Sequence, residues 1–192
     1  SRFDSRKAPW LWFGTSNIKS LNIASGITHI GNYAFADLDN ITNVIIPNTV
    51  TSIGNHAFEN TGLLEIHFPN SVTEIGSLAF QNCENLKGVD FSLALETIEN
   101  EAFRECDSLE TIWIPASTTS VHYAVFSDCT NLRQIDVDSN NLHYSSANGV
   151  LYNKNQTLLI KCPGGYTGGE FIVPDSVTEI EMLAFAACQN IS

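Results

Sequence analysis

A chain of 192 residues, 43% of them apolar, can bury a sizeable core. No uninterrupted apolar run approaches the ~18 residues of a membrane span, and no charged, then apolar, then small-residue leader opens it, so it reads as a soluble chain. Twenty-one acidic against nine basic residues give a formal charge of −12, which repels phosphate backbones and anionic lipid and makes nucleic acid and membrane surfaces poor partners. Three of the nine basic residues (Arg2, Arg6, Lys7) lie at the N-terminus, leaving the body more acidic still.

From His29 onward the chain repeats itself: "HIGNYAF", then "SIGNHAF", then "EIGSLAF". The phenylalanines of these phrases are Phe35, Phe58, Phe80, Phe103, Phe126 and Phe185, and the first four intervals are 23, 22, 23 and 23 residues. Such a period marks a solenoid. Five residues before each Phe stands Ile30, Ile53, Ile75, Ile98, Val121 or Ile180. Eleven before it stands Ala24, Pro47, Pro69, Ser92, Pro115 or Pro174, and three after it, from the third repeat on, Cys83, Cys106, Cys129 or Cys188.

Between each Phe and the next Pro runs an alternating phrase such as "SLETIWIP" (Ser108 to Pro115). Its period of two predicts a short strand with one buried face, ended by a proline that offers no N–H to a ladder. The other half of each repeat, as in "SVTEIGSLAF", carries a second small apolar set and must return the chain along the opposite wall. No single turn buries its own apolar side; stacking turns lets each Phe sit on the next, at ~1.5–3 kcal/mol per buried large side chain. The predicted fold is a mostly-β or α/β solenoid, wound right-handed.

The 59 residues from Phe126 to Phe185 break the period. The extra stretch, roughly 139–169, holds "GVLYNKNQTLLIKC", two apolar runs around an Asn-Lys-Asn turn, and predicts an inserted β-hairpin projecting from the wall. "PGGYTGG" (Pro163 to Gly169) returns the chain to the stack at Phe171, Val173 and Pro174. The chain stops at Ser192, partway into another strand phrase, so a longer array is expected.

The pattern "SVTEIGxxAFxxCxxLxxIxIP" resembles the BspA-type leucine-rich repeats of bacterial and anaerobic-protist surface proteins, from Pro9 to the end. The opening "APWLWFGTSNIKSLNIASGITHIG" is similar to that family's N-terminal cap, and "DVDSNNLHYSSANGVLYN" with "CPGG" to its recurrent insertion. Departures are Ser92 in place of Pro, Thr61 and Leu38 in place of Cys, and Cys162 where an aromatic is usual. The expected organisation is one domain, with a cap over 1–24 that includes Trp10 and Trp12, regular repeats over 25–138, the insertion over 139–169 and a truncated repeat over 170–192. The resemblance implies adhesion or host interaction at an extracellular or cell surface, and no enzymatic role.

Candidate chemistry is sparse. Four cysteines share one repeat offset and read as packed thiols, with neighbouring-turn disulfides as the alternative; Cys162 is off that ladder and is the expected reactive one. No CxxC occurs, so no zinc site is expected, and no cofactor either. "DVDSNN" (Asp136 to Asn141) matches the start of a calcium loop, but Asn141 replaces the glycine and Ala147 the terminal acid, so it reads as a turn. The histidines (His29, His56, His67, His122, His143) fall at unrelated repeat offsets without a suggestive Ser or Cys partner, which argues against a hydrolase. Sequons stand at Asn40, Asn155 and Asn190.

What remains is surface. The outward position of each strand phrase reads Asn22, Ile45, His67, Asp90, Trp113, Asp136 and Ile172. Ile45, His67, Asp90, Trp113 and Asp136 are the candidate protein-binding residues: apolar anchors in an acidic surround, on a face that curvature should make concave. Tyr144, Tyr152 and Tyr166 of the insertion form a secondary candidate. The favoured function is a non-catalytic module of a monomeric chain that binds a host or neighbouring-cell protein. The alternative is a spacer that presents another domain and has no ligand of its own.

Overall fold

The computed structural model describes residues 17–191. Trp10 and Trp12 of the expected cap lie outside them. β1 (Ser20–Asn22) and β2 (His29–Ile30) form one turn of the chain. β3 (Asn43–Ile45) and β4 (Ser52–Ile53), β5 (Glu65–His67) and β6 (Glu74–Ile75), β7 (Gly88–Asp90) and β8 (Thr97–Ile98), and β9 (Thr111–Ile114) and β10 (Ser120–Val121) repeat it. β11 (Gln134–Val137) opens a sixth turn, and the described residues contain no helix. The result is a mostly-β solenoid with the expected period.

Two walls follow from the two halves of the repeat. On one, β2, β4, β6, β8 and β10 form a five-stranded parallel sheet in that order. On the other, β1 pairs with β3, β5 with β7 and β9 with β11, all parallel and in register, for example Trp113 opposite Asp136. Inward positions Val44, Ile66, Val89, Ile112 and Ile135 are buried while their strand neighbours face out, as the alternation predicts.

Phenylalanines fill the middle. Centroids of Phe35–Phe58, Phe58–Phe80, Phe80–Phe103 and Phe103–Phe126 are 5.3, 5.2, 5.1 and 6.0 Å apart, all stacked. The turn that carries each Phe holds non-glycine residues in the left-handed region two positions before it (Tyr33, His56, Leu78, Glu101) and two after it (Asp37, Asn60, Asn82, Glu105, Asp128). Each such residue costs roughly 1–2 kcal/mol locally. The stack offsets this through the N–H groups those angles aim at the next turn: Tyr33 donates to the Asn55 carbonyl, Leu78 to Asn100 and Asn82 to Arg104, at 2.9, 3.0 and 2.8 Å.

Glycine appears in this turn for a specific reason. A Cβ on Gly54 would stand 2.6 Å from Asn32 Oδ1, and one on Gly76 would stand 2.6 Å from Asn55 Oδ1. Those amide oxygens accept the backbone N–H groups of Asn55 and Ser77. At the next equivalent position stands Glu99, and Ser77 in the turn beneath it carries no side-chain amide.

The cysteine column is a row of weak donors. Cys83, Cys106 and Cys129 each direct Sγ at the carbonyl of the Phe one turn back (Phe58, Phe80, Phe103), at 3.2, 3.3 and 3.0 Å. Thr61 serves the same slot by donating its hydroxyl to the Phe58 carbonyl at 2.9 Å. All five cysteines are free thiols.

The insertion differs in part from expectation. The expected hairpin is present as β13 (Val150–Asn153) and β14 (Leu158–Lys161), and β12 (Tyr144–Ala147) extends it to a three-stranded antiparallel meander. The additional turn is Asn148-Gly149, both at positive φ, the backbone a two-residue hairpin loop requires. The meander does not project: Leu151 and Ile160 join the core of the preceding turns, while Val150, Tyr152, Leu159 and Cys162 join a second core with Ala184, Phe171 and Phe185. It is a layer inserted within the stack. β14 then pairs in parallel with β15 (Glu179–Ile180), which resumes the two-residue strands.

Asn141 locks the layer in place. Fully buried, its amide donates to the carbonyls of Pro115 and Thr118 at 2.8 and 2.9 Å, and its Oδ1 accepts the N–H groups of His143 and Tyr144 at 2.8 Å each. The "DVDSNN" segment is accordingly an elaborate turn.

Candidate functional site

The odd-numbered strands bring Asn22, Ile45, His67, Asp90, Trp113 and Asp136 into one column on their outer face. Each projects because its strand neighbours on either side are turned into the core, so the repeat itself fixes the spacing. Ile45 is 54% exposed and Trp113 40%. His67 Nδ1 lies 2.5 Å from Asp90 Oδ2 and its Nε2 lies 3.7 Å from Glu65 Oε2. Gln134 donates to Asp136 Oδ2 at 2.7 Å. The arrangement is an indole and an isoleucine set among carboxylates, with an imidazole held between two of them.

Ile172 does not extend this column. Ile135 of β11 donates its N–H to the Gly149 carbonyl, so the meander takes the place of the next turn beside Asp136. The secondary candidates divide. Tyr152 is 2% exposed and belongs to the second core, so it offers no surface. Tyr144 is half-buried, and its hydroxyl accepts the Val121 N–H at 2.8 Å. Tyr166 packs edge-on to Phe171 at 5.4 Å.

The register also creates pairs that sequence spacing hides. His29 Nδ1 stands 2.7 Å from Ser52 Oγ across β2 and β4. The pair is exposed, and Glu74, the next residue in that register, is a neighbour of Ser52; among the described residues no carboxylate bonds to the His29 imidazole. A 23-residue separation read against the repeat would have found it. Among the described residues no three His, Cys, Asp or Glu side chains gather as metal ligands.

Cys162 is the reverse of what its off-ladder position suggests. It is fully buried, whereas Cys188 is partly exposed. A thiol–thiol hydrogen bond between the two raises Cys162 far above, and lowers Cys188 below, the ordinary thiol value. Beside them Lys161 is 1% exposed, its Nζ donating to the Leu183 and Ala186 carbonyls at 3.1 and 3.0 Å; burial lowers its pKa.

Stacked short strands, a phenylalanine spine and an exposed strand face define a leucine-rich-repeat solenoid. The chain belongs to the family described as BspA type Leucine rich repeat region, whose model matches six copies over residues 11–133. Among solved structures it is similar to a leucine-rich repeat protein of Eubacterium ventriosum, at 35% identity and a TM-score of 0.87, over 95% of this chain and 48% of that one. The pneumococcal vaccine antigen PcpA matches at 30% identity and a TM-score of 0.83, over 87% of this chain and 42% of that one. A leucine rich cell surface protein of Faecalibacterium prausnitzii matches at 26% identity and a TM-score of 0.72, over 91% and 54%. The chain thus spans about half the length of these relatives, and no curated protein matches it.

Proposed function

We propose that the chain is a binding module of a cell-surface or secreted protein, and that it engages a protein partner on a host or neighbouring cell through the outer face of its longer strands. The observation that carries this reading is the column Ile45–His67–Asp90–Trp113–Asp136: two exposed apolar side chains held by strand register among carboxylates. Aromatic anchors with a polar surround are what protein interfaces use. A face of this charge suits a partner patch that sets Arg or Lys beside an apolar spot. The Faecalibacterium relative, described as a leucine rich cell surface protein, supports the location. The test is the attachment of labelled protein to host or bacterial cells, scored by flow cytometry. Attachment should fall with Trp113→Ala at unchanged stability; attachment that survives this variant at full strength argues for another face or for a spacer.

A further inference from the structure

Along the parallel sheet each turn bonds to the next in one way. The carbonyl of Ile30, Ile53, Ile75 or Ile98 accepts the N–H of the residue just after the next turn's counterpart: Gly54, Gly76, Glu99 and His122, at 2.8, 2.9, 2.9 and 3.1 Å. At Val121 the series stops. Its backbone N–H and C=O point away from β8, because Ser120 and His122 supply the bonds on that side. The next strand of this type, β15, bonds instead to β14, with Glu181 donating to the Leu159 carbonyl at 2.9 Å. The other edge of β14 is occupied by antiparallel β13. One rung of the wall is therefore missing between β10 and β14.

The break is a cleft of about 440 Å³, within the range of ligand sites. It is lined by the apolar Val121, Tyr144, Leu158 and Ile160 and by His122 and Glu181. The Tyr144 hydroxyl takes the Val121 N–H, and among the described residues no backbone N–H reaches the Val121 carbonyl. A strand edge with one capped donor and one open acceptor, beside an apolar lining, is the requirement for strand addition.

We propose that this cleft accepts an extended segment of a partner polypeptide as the missing rung, parallel to β10. The repeats themselves define the occupant. An aliphatic, preferably β-branched, residue lies opposite Val121, as Ile53 lies opposite Ile30 and Ile98 opposite Ile75. The residue after it donates its N–H to the Val121 carbonyl. Glu181 and the net charge of −12 favour a basic residue in the segment. This site is separate from the strand face proposed above, so either can fail without the other.

The probe is the chain's own rung, Val72 to Gly76, with lysine in place of its glutamate: acetyl-Val-Thr-Lys-Ile-Gly-amide. Titrated into isotope-labelled whole chain, it should give saturable amide shifts centred on Val121, His122 and Leu158 at millimolar or lower concentration. N-methylation of its glycine removes the donor to Val121 and should weaken binding about tenfold, the worth of one backbone hydrogen bond. Tyr144→Phe, which uncaps the Val121 N–H, should tighten binding while the unmethylated peptide keeps its register. Absence of shifts at several millimolar, equal binding of the methylated probe, or shifts centred on Trp113 would each overturn the proposal.

Discussion

The rings of Phe80 and Phe103 lie 3° from parallel with centroids 5.1 Å apart, each belonging to a different turn of the chain. Both are fully buried, and each has a ring on either side. Phe80→Ala or Phe103→Ala should each cost ~3–5 kcal/mol of unfolding free energy in urea titrations, the usual loss for a buried phenylalanine. Phe185 is half-buried and meets Phe171 edge-on in the second core, so Phe185→Ala should cost clearly less. Equal losses at all three positions would contradict a spine built of stacked rungs.

Two glycines of the same phrase should behave differently. A methyl at Gly76 meets Asn55 Oδ1, the Asn55 nitrogen and the Gly54 carbon within 2.9 Å, mostly backbone that cannot step aside. Gly76→Ala should destabilise by about 1–3 kcal/mol, as overpacking does. Among the described residues a methyl at Gly31 meets nothing within 4 Å, so Gly31→Ala should be neutral or slightly stabilising. Thermal melts of the two variants side by side test the explanation.

Much of this architecture is legible in the sequence because a one-dimensional stack makes each slot answer to the same neighbours. The Phe, Ile, Pro and Cys columns are four such slots. The insertion was only half legible: Asn148-Gly149 is a hairpin signal in plain view, but the flanking "YSSA" lacks the apolar alternation that marks a strand. Its burial was not legible at all, since "VLYN" and "LLIK" give both faces to cores and so resemble exposed hairpin arms no more than inserted layers. The left-handed residues were hidden because Tyr33, His56, Leu78 and Glu101 are not types that announce such a backbone; cross-turn hydrogen bonds impose it. On the strand face the residues of the column were legible, while the His67–Asp90 contact required the register.

Thiol chemistry should single out Cys188. It is partly exposed, and the hydrogen bond from Cys162, aided by Lys161, favours its thiolate. Limited alkylation of native protein followed by peptide mass mapping should mark Cys188 first and Cys83, Cys106, Cys129 and Cys162 only after unfolding. Faster labelling of Cys162 would contradict the burial described above.

The cysteine column should also make the fold sensitive to alkali. Burial raises Cys83 to about 11 and Cys129 to about 12 from 9.0, and Cys106 well above it. These folded-state values exceed the unfolded ones, so the contribution is complete below pH 9 and is lost as pH rises toward the folded values. Each thiol contributes a slope of up to ~1.4 kcal/mol per pH unit there. Lys161, lowered by burial, and Cys188, lowered by its bond from Cys162, act in the opposite direction, while Cys162, Tyr144 and Tyr152, all raised, add to the fall. Urea midpoints should hold from pH 7 to 8 and fall above 9. Replacing the three cysteines by Thr, the residue of that slot at Thr61, should make the fall shallower; a flat wild-type profile to pH 10 would contradict the assignment.

The strand face carries the functional account, and the affinity of a protein partner for it is the decisive quantity. Deleting the insertion cannot serve as the control, because Leu151, Ile160 and Leu159 roof two cores. The informative set is Trp113→Ala on the face, Tyr166→Ala beside the last turn, and Asp90→Asn with Asp136→Asn, each checked for an unchanged melting temperature. Calorimetric titration with the partner that labelled cells reveal should show Trp113→Ala losing at least ~2 kcal/mol. The Asp variants should mainly slow association and flatten its salt dependence, with Tyr166→Ala near neutral. Full affinity in Trp113→Ala, with the loss appearing at Tyr166→Ala instead, would contradict the placement of the binding face.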